Sequence, residues 1–236
     1  LILPARWLIV HTVGSSDPVF IFFVITAIYL FMKFEQSSKF FHILFAGLFA
    51  GAAQLTRPPG ILLGMGLGFY ALWHTFKKRS PLSLFKFYPL LLIPLTLLGI
   101  FYLYSQTFQD FFAYFHSGDN IHLTFPPFQI FNKGQYWVGD VWLEDIVYIF
   151  ILGFMGGVLL IRKKLYPMGF FVLTYLTASI FSAHRDISRY ILPITPFVLI
   201  AFEKALTSKE FKIILPIVIL AIYLYAQNFI LSNVAP

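Results

Sequence analysis

Cysteine is missing from the chain, which excludes disulfides, thiolate metal sites and cysteine nucleophiles and leaves the redox state of the compartment open. Charge is scarce: 11% of the 236 residues are Asp, Glu, Lys or Arg, against roughly a quarter in an ordinary soluble domain. The six histidines (His11, His42, His74, His116, His122 and His184) show no HExxH spacing, so no histidine metal site is expected. There is no Gly-rich loop to cradle a nucleotide phosphate. No run of acidic residues interrupts the apolar segments, which argues against an ion-coupled transporter. What is abundant is apolar. With 59% hydrophobic and 20% aromatic residues and a mean hydropathy of +0.80, the chain has too little polar surface to cover a globule in water. Its solvent is lipid.

Long apolar stretches predict an all-α, polytopic transmembrane bundle of about eight spans forming one domain over residues 1–236. The spans are placed at 18–33, 40–56, 59–76, 87–105, 144–161, 167–183, 190–206 and 213–231. Lys33, Lys39 and Arg162 can snorkel to complete the shorter ones. Gly47 and Gly51 have the spacing that lets membrane helices approach closely. Pro94, Pro193, Pro196 and Pro216 predict kinks within spans. The only long loop, 106–143, is aromatic-rich, and residues 107–116 are expected to form an interfacial helix. Its rings form an interfacial belt or line a ligand groove.

The net charge of +7 does not point to nucleic acid, because the basic residues fall in short clusters between apolar runs. Counted over alternate loops, twelve of the 17 Lys and Arg lie on one side and five on the other. The positive-inside rule makes the richer side cytoplasmic. Seven of the ten acidic residues then lie outside. The loops that carry chemistry are also outside: Gly14-Ser15-Ser16-Asp17-Pro18, Thr56-Arg57-Pro58-Pro59-Gly60, and His184-Arg185-Asp186-Ile187-Ser188-Arg189-Tyr190. The absence of an Asn-x-Ser/Thr site tilts the location to a prokaryotic plasma membrane over the endoplasmic reticulum. Since the chain opens at Leu1 without a signal peptide, it is expected to be the C-terminal part of a longer protein.

Each of these turns has a plain reading and a functional one. Arg57 can anchor a helix end at the headgroups, or a rigid Pro-Pro turn can hold its fork toward a phosphate. Arg185 and Arg189 would share a helix face. Asp186 either neutralises them or orients them as a second phosphate clamp, with His184 and Tyr190 alongside. Ser16 or Asp17, followed by Pro18, can cap a helix. Alternatively, Asp17 is a carboxylate facing an external cavity, able to position a sugar or act as a base.

Pro4-Ala5-Arg6-Trp7, Gly-Ser-Ser-Asp-Pro before a span, the hairpin Leu-Thr-Arg-Pro-Pro-Gly-Ile and Ser-Arg-Tyr-Ile-Leu-Pro-Ile-Thr-Pro-Phe resemble the GT-C glycosyltransferases. These are polytopic enzymes using polyprenyl- or dolichyl-phosphate sugars. The likeness is greatest to the second mannosyltransferase of GPI-anchor assembly and its prokaryotic homologues, over 1–75 and 180–200. It implies transfer of a hexose, with mannose the first choice, by inverting displacement from a lipid-phosphate donor to a glycan, lipid or protein acceptor outside the cytoplasm. It also implies Asp17 at an acidic motif position with Ser16 in support, and Arg57, Arg185, Arg189 and His184 at the donor phosphate, supported by Asp186 and Tyr190. The family's principal acidic residue would lie upstream. No cofactor is expected, with a divalent metal left open. Thr-Arg-Pro-Pro-Gly departs from the Arg-Pro-Thr or Arg-Pro-Asn of the family and leaves the acceptor open. A transporter or flippase of lipid-linked sugars would need the same phosphate contacts, and a non-catalytic envelope-assembly subunit is a third class.

Overall fold

The computed structural model describes residues 4–117, 123–139, 142–184 and 186–232, and among them there is no β-strand. A short helix, α1 (Ala5–Thr12), precedes α2 (Asp17–Ser37), α3 (Phe40–Thr56) and α4 (Gly60–Lys78). A 3-10 stretch (Pro81–Leu91) runs directly into α5 (Leu92–Phe108), followed by the single turn α6 (Ala113–His116) and then α7 (Trp142–Arg162) and α8 (Tyr166–Ser179). After α8 come the short pieces α9 (Ile187–Tyr190), α10 (Thr195–Ala201) and α11 (Glu203–Leu206), and last α12 (Lys209–Leu231).

Among the described residues, four segments are long and apolar enough to cross a membrane: Asp17–Ser37, Pro81–Phe108, Glu144–Arg162 and Lys209–Leu231. The expected span at 18–33 is longer than predicted. Lys33 and Glu35 are carried on an unbroken helix until Ser38 takes a left-handed conformation (φ 52°). The expected span at 190–206 is not one helix. Pro193 sits in a 3-10 turn (Leu192–Ile194) and Pro196 opens α10. A proline there lacks the N–H that would continue the preceding helix. By contrast, α12 continues through Pro216, and Pro94 falls within the first turn of α5, where a missing donor costs little.

The expected interfacial helix at 107–116 shrinks to α6. Gln109 ends α5 in the left-handed region (φ 54°), and the Asp110 side chain accepts a bond from the Phe112 amide at 2.9 Å, competing locally with helix. Phe111, Phe112 and Phe115 gather around Phe101 of α5. Part of the predicted loop (118–122 and 140–141) lies outside the described residues.

The core is helix on helix. Small residues on the inner face of α3 (Ala46, Gly47, Ala50, Gly51 and Ala53) let it sit close to its neighbours. A Cβ on Gly47 would fall 2.4 Å from the Pro89 carbonyl oxygen, and one on Gly51 would touch Thr96. The glycine pair therefore joins α3 to the 3-10 stretch and α5. Outward faces carry Phe22, Phe69, Leu95, Ile151, Ile217 and Leu220, as a lipid-solvated bundle requires. The helices reverse direction at short turns, so the starts of α2 and α4 and the end of α3 share one end of the bundle. The loop after α5 is pinned toward that end, with Thr124 and Phe128 amides donating to the Phe181 and Ile180 carbonyls at 2.6 and 2.7 Å.

Replacing Gly47 by Val should destabilise the bundle by about 1–3 kcal/mol through overpacking. Gly68→Ala, at a position with nothing within 4 Å, should leave stability nearly unchanged. Thermal unfolding in detergent checks both. Equal melting of Gly47→Val and wild type would show that the α3–Pro89 contact is loose.

Candidate functional site

Asp17 is the first residue of α2 and is completely buried. Its position follows from Pro18, whose preset backbone suits a first helical turn and whose missing N–H is not needed there. Ser16 does not cap the helix. Its backbone is helical (φ −74°, ψ −11°) and it makes no side-chain cap bond, whereas a capping side chain usually hangs from an extended residue. The hydroxyl that serves this end belongs to Ser15, which donates to Asp17 Oδ2 at 2.6 Å and accepts from the Asp17 amide at 3.2 Å.

Two guanidiniums converge on Asp17. Arg57 Nη1 forms an ion pair with Oδ1, and Arg189 Nε donates to Oδ2 at 2.9 Å. Arg57 follows α3 in extended conformation (φ −151°, ψ 139°). Its carbonyl accepts the Gly60 amide at 3.0 Å, closing the Pro-Pro turn. At Gly60 a Cβ would lie 2.5 Å from Gln54 Cα, so the turn can fold against the end of α3 only with glycine there. Arg189 lies on α9, 172 residues from Asp17, and both arginine side chains are 16% exposed. Burial is the main reason Arg57 holds its proton less tightly than an ordinary arginine, and the neighbouring Arg189 charge acts in the same direction.

The rest of the site is aromatic. The Arg57 guanidinium carbon lies 5.8 Å from the Tyr190 ring centroid, and the Tyr190 ring meets His184 edge-on at 5.3 Å. The buried Tyr175 hydroxyl donates to the Tyr190 carbonyl at 2.8 Å. Tyr114 of α6 also faces this charge: burial raises its phenol above the ordinary value, and Arg57 pulls it the other way. One turn before Arg57, Gln54 is buried with neither amide atom hydrogen-bonded among the described residues.

Of the expected residues, Asp17, Arg57, Arg189 and Tyr190 come together, with His184 beside them. Arg185 lies outside the described residues. Asp186, expected between the two arginines of its own loop, instead accepts from Arg6 Nη2 at 3.0 Å. Asp17, expected as a base or sugar-positioning group, presents no surface in this state and has both oxygens engaged. The sequence did not single out Tyr175, the Asp17 partnership of Ser15 or the pairing role of Arg6, while Tyr114 belongs to the aromatic loop expected to form an interfacial belt or line a ligand groove. Arg6 carried a signal in the Pro4-Ala5-Arg6-Trp7 segment of the family resemblance.

Each guanidinium has five donors. One carboxylate and one serine hydroxyl cannot use them all. Two positive charges against one negative leave this cluster at +1, a surplus suited to an oxyanion. Replacing Asp17 by Asn should destabilise the protein by about 3–5 kcal/mol, because it strands two buried guanidiniums without their counter-ion. Ser15→Ala should cost only about 1 kcal/mol. Chemical denaturation in detergent reads both, and equal losses would show that Asp17 is no more than a local cap.

Residues 4–104, from α1 through most of α5, match the family model described as dolichyl-phosphate-mannose-protein mannosyltransferase. The match supports a helical, multi-pass membrane glycosyltransferase of the GT-C type. It includes Arg6, Asp17 and Arg57, and ends before Asp186 and Arg189. No curated protein matches the chain, and no solved structure does.

Proposed function

On the premise of that family match, we propose that the chain belongs to a membrane enzyme that moves a hexose, mannose first, from a polyprenyl- or dolichyl-phosphate donor to an extracytoplasmic acceptor. The observation that carries this reading is the pairing of Arg57 and Arg189 on one buried carboxylate. Together they offer a cationic fork where the donor phosphate would leave. Negative charge builds on that phosphate as the sugar–oxygen bond breaks, and prepositioned guanidinium donors stabilise the transition state more than the ground state. Asp17 holds the two forks side by side against their mutual repulsion. Deprotonation of the acceptor hydroxyl falls to another acidic residue, expected upstream from the resemblance. Arg185 and His184 would join the phosphate contacts from the same loop.

Two further features support the reading. Leaving a buried amide unpaired costs about 1–3 kcal/mol, so Gln54 favours a polar ligand reaching this end of α3. The aromatic surfaces of Tyr190 and Tyr114 suit the sugar or lipid portion of a donor. The matched family's description includes a protein acceptor, and for this chain a glycan, lipid or protein acceptor fits the same site. The plasma membrane is the favoured location. A flippase for lipid-linked sugars would use the same cationic fork, but would move the donor without cleaving it.

Incubating the full-length protein in membranes with radiolabelled polyprenyl-phosphate mannose should carry label into a product. Arg57→Gln or Arg189→Gln should lower turnover by roughly two to three orders of magnitude at undiminished expression. Arg57→Lys should recover only part of it, because an ammonium lacks the planar fork. Label that crosses the bilayer still attached to its lipid would favour a flippase. Undiminished turnover in both glutamine variants would end the clamp.

A further inference from the structure

Arg6 lies outside the clamp, yet its contacts lead into it. From α1 its Nη2 donates to Asp186 Oδ1 at 3.0 Å, with the two side chains 15% and 29% exposed. Its guanidinium carbon also lies 4.2 Å from the centroid of the Phe229 ring on α12. Asp186 is the residue on which the Arg189 turn is built. The Asp186 carbonyl accepts the amides of Arg189 and Tyr190 at 2.8 and 3.2 Å, and its own amide donates to His184 Nδ1 at 3.0 Å.

A side chain that fixes Asp186 therefore fixes the start of the turn that aims Arg189 at Asp17. Helix α1 is itself seated. Val10 packs with Ile21 of α2 and Leu192 just beyond the turn, with Trp7 against them. Such a brace is needed because α9 is a single helical turn with no side-chain cap bond. One turn of helix is not stable by itself.

We propose that Arg6 is a positioning residue for the donor-phosphate clamp. It latches Asp186 to α1 and α12, and through the Asp186 backbone sets where Arg189 and Tyr190 sit. This rests on the transferase reading for its kinetic consequence, but not for its structural one. Asp186 thus has an office distinct from neutralising its neighbours in sequence: it is the point where the two ends of the described chain grip the site.

The test uses the full-length protein in lipid nanodiscs, with Arg6→Gln, Asp186→Asn and the charge exchange Arg6→Asp with Asp186→Arg. Hydrogen exchange should show the Arg189 and Tyr190 amides opening faster in both single variants and returning toward wild type in the exchange variant. With polyprenyl-phosphate mannose as donor, kcat/KM should fall by roughly ten- to a hundredfold in the single variants, mainly through the donor KM, with most of it recovered on exchange. Unaltered amide protection overturns the latch. Loosened amides with unaltered kinetics overturn the positioning role. Failure of the exchange variant to recover either readout also overturns the proposal. A wild-type protein that transfers no label would refute the transferase reading, while the exchange data would still decide whether the latch exists.

Discussion

One buried carboxylate organises this molecule. Asp17 has no contact with solvent and lies between the guanidiniums of Arg57 and Arg189. None of these three charges is tolerable there by itself. A lone ion at a membrane-embedded helix end is costly, and two adjacent guanidiniums repel. Shared, the carboxylate offsets part of the desolvation of both cations and leaves one net positive charge. The arrangement forms only once α2, the α3–α4 turn and the segment after α8 have been assembled, so the site reports on the completed fold.

Much of the surrounding architecture follows from the need to deliver those groups to one place. Pro18 starts α2 so that Asp17 sits in its first turn. The Pro-Pro turn, folded against α3 through Gly60, sets Arg57 in extended backbone at the helix end. The interruption of the seventh segment by Pro193 and Pro196 has the same outcome. The stretch is divided into a helical turn at Ile187–Tyr190, a 3-10 turn at Leu192–Ile194 and a helix from Thr195. Tyr175 fastens the Tyr190 carbonyl from α8, and Arg6 fastens Asp186 from α1. The ion pairs of Asp17 and Asp186 gather at one end of the helices, and outward faces are apolar, as lipid requires.

The membrane character was legible at once, because scarcity of charge and long apolar stretches leave no other solvent. Helix positions were legible too where apolar residues continue without an internal proline, as in α2 and α7. Apolar length alone is a poor guide at 190–206, where the stretch is apolar enough but proline chemistry divides it. The charged residues were individually conspicuous, since Arg57 and Arg189 fall in loops that the positive-inside rule is expected to place outside, where arginine is disfavoured, and Asp17 sits at a Pro-marked helix start. Their partners were not. Sequence proximity suggested Asp186 for Arg189 and Ser16 for the cap. The fold gives Arg189 a carboxylate 172 residues away, gives Asp186 to Arg6, and replaces Ser16 by Ser15, because a helical backbone at residue 16 is unsuited to capping. Pairing of this kind is decided by tertiary packing and leaves no periodic trace in the chain.

The most direct measurement is an experimental structure of the full-length protein in a bilayer with a polyprenyl phosphate bound. The account predicts the phosphate within hydrogen-bond reach of both Arg57 and Arg189, with Asp17 still bridging them from the buried side. A phosphate seated at a different end of the bundle, or one that contacts neither guanidinium, would contradict it.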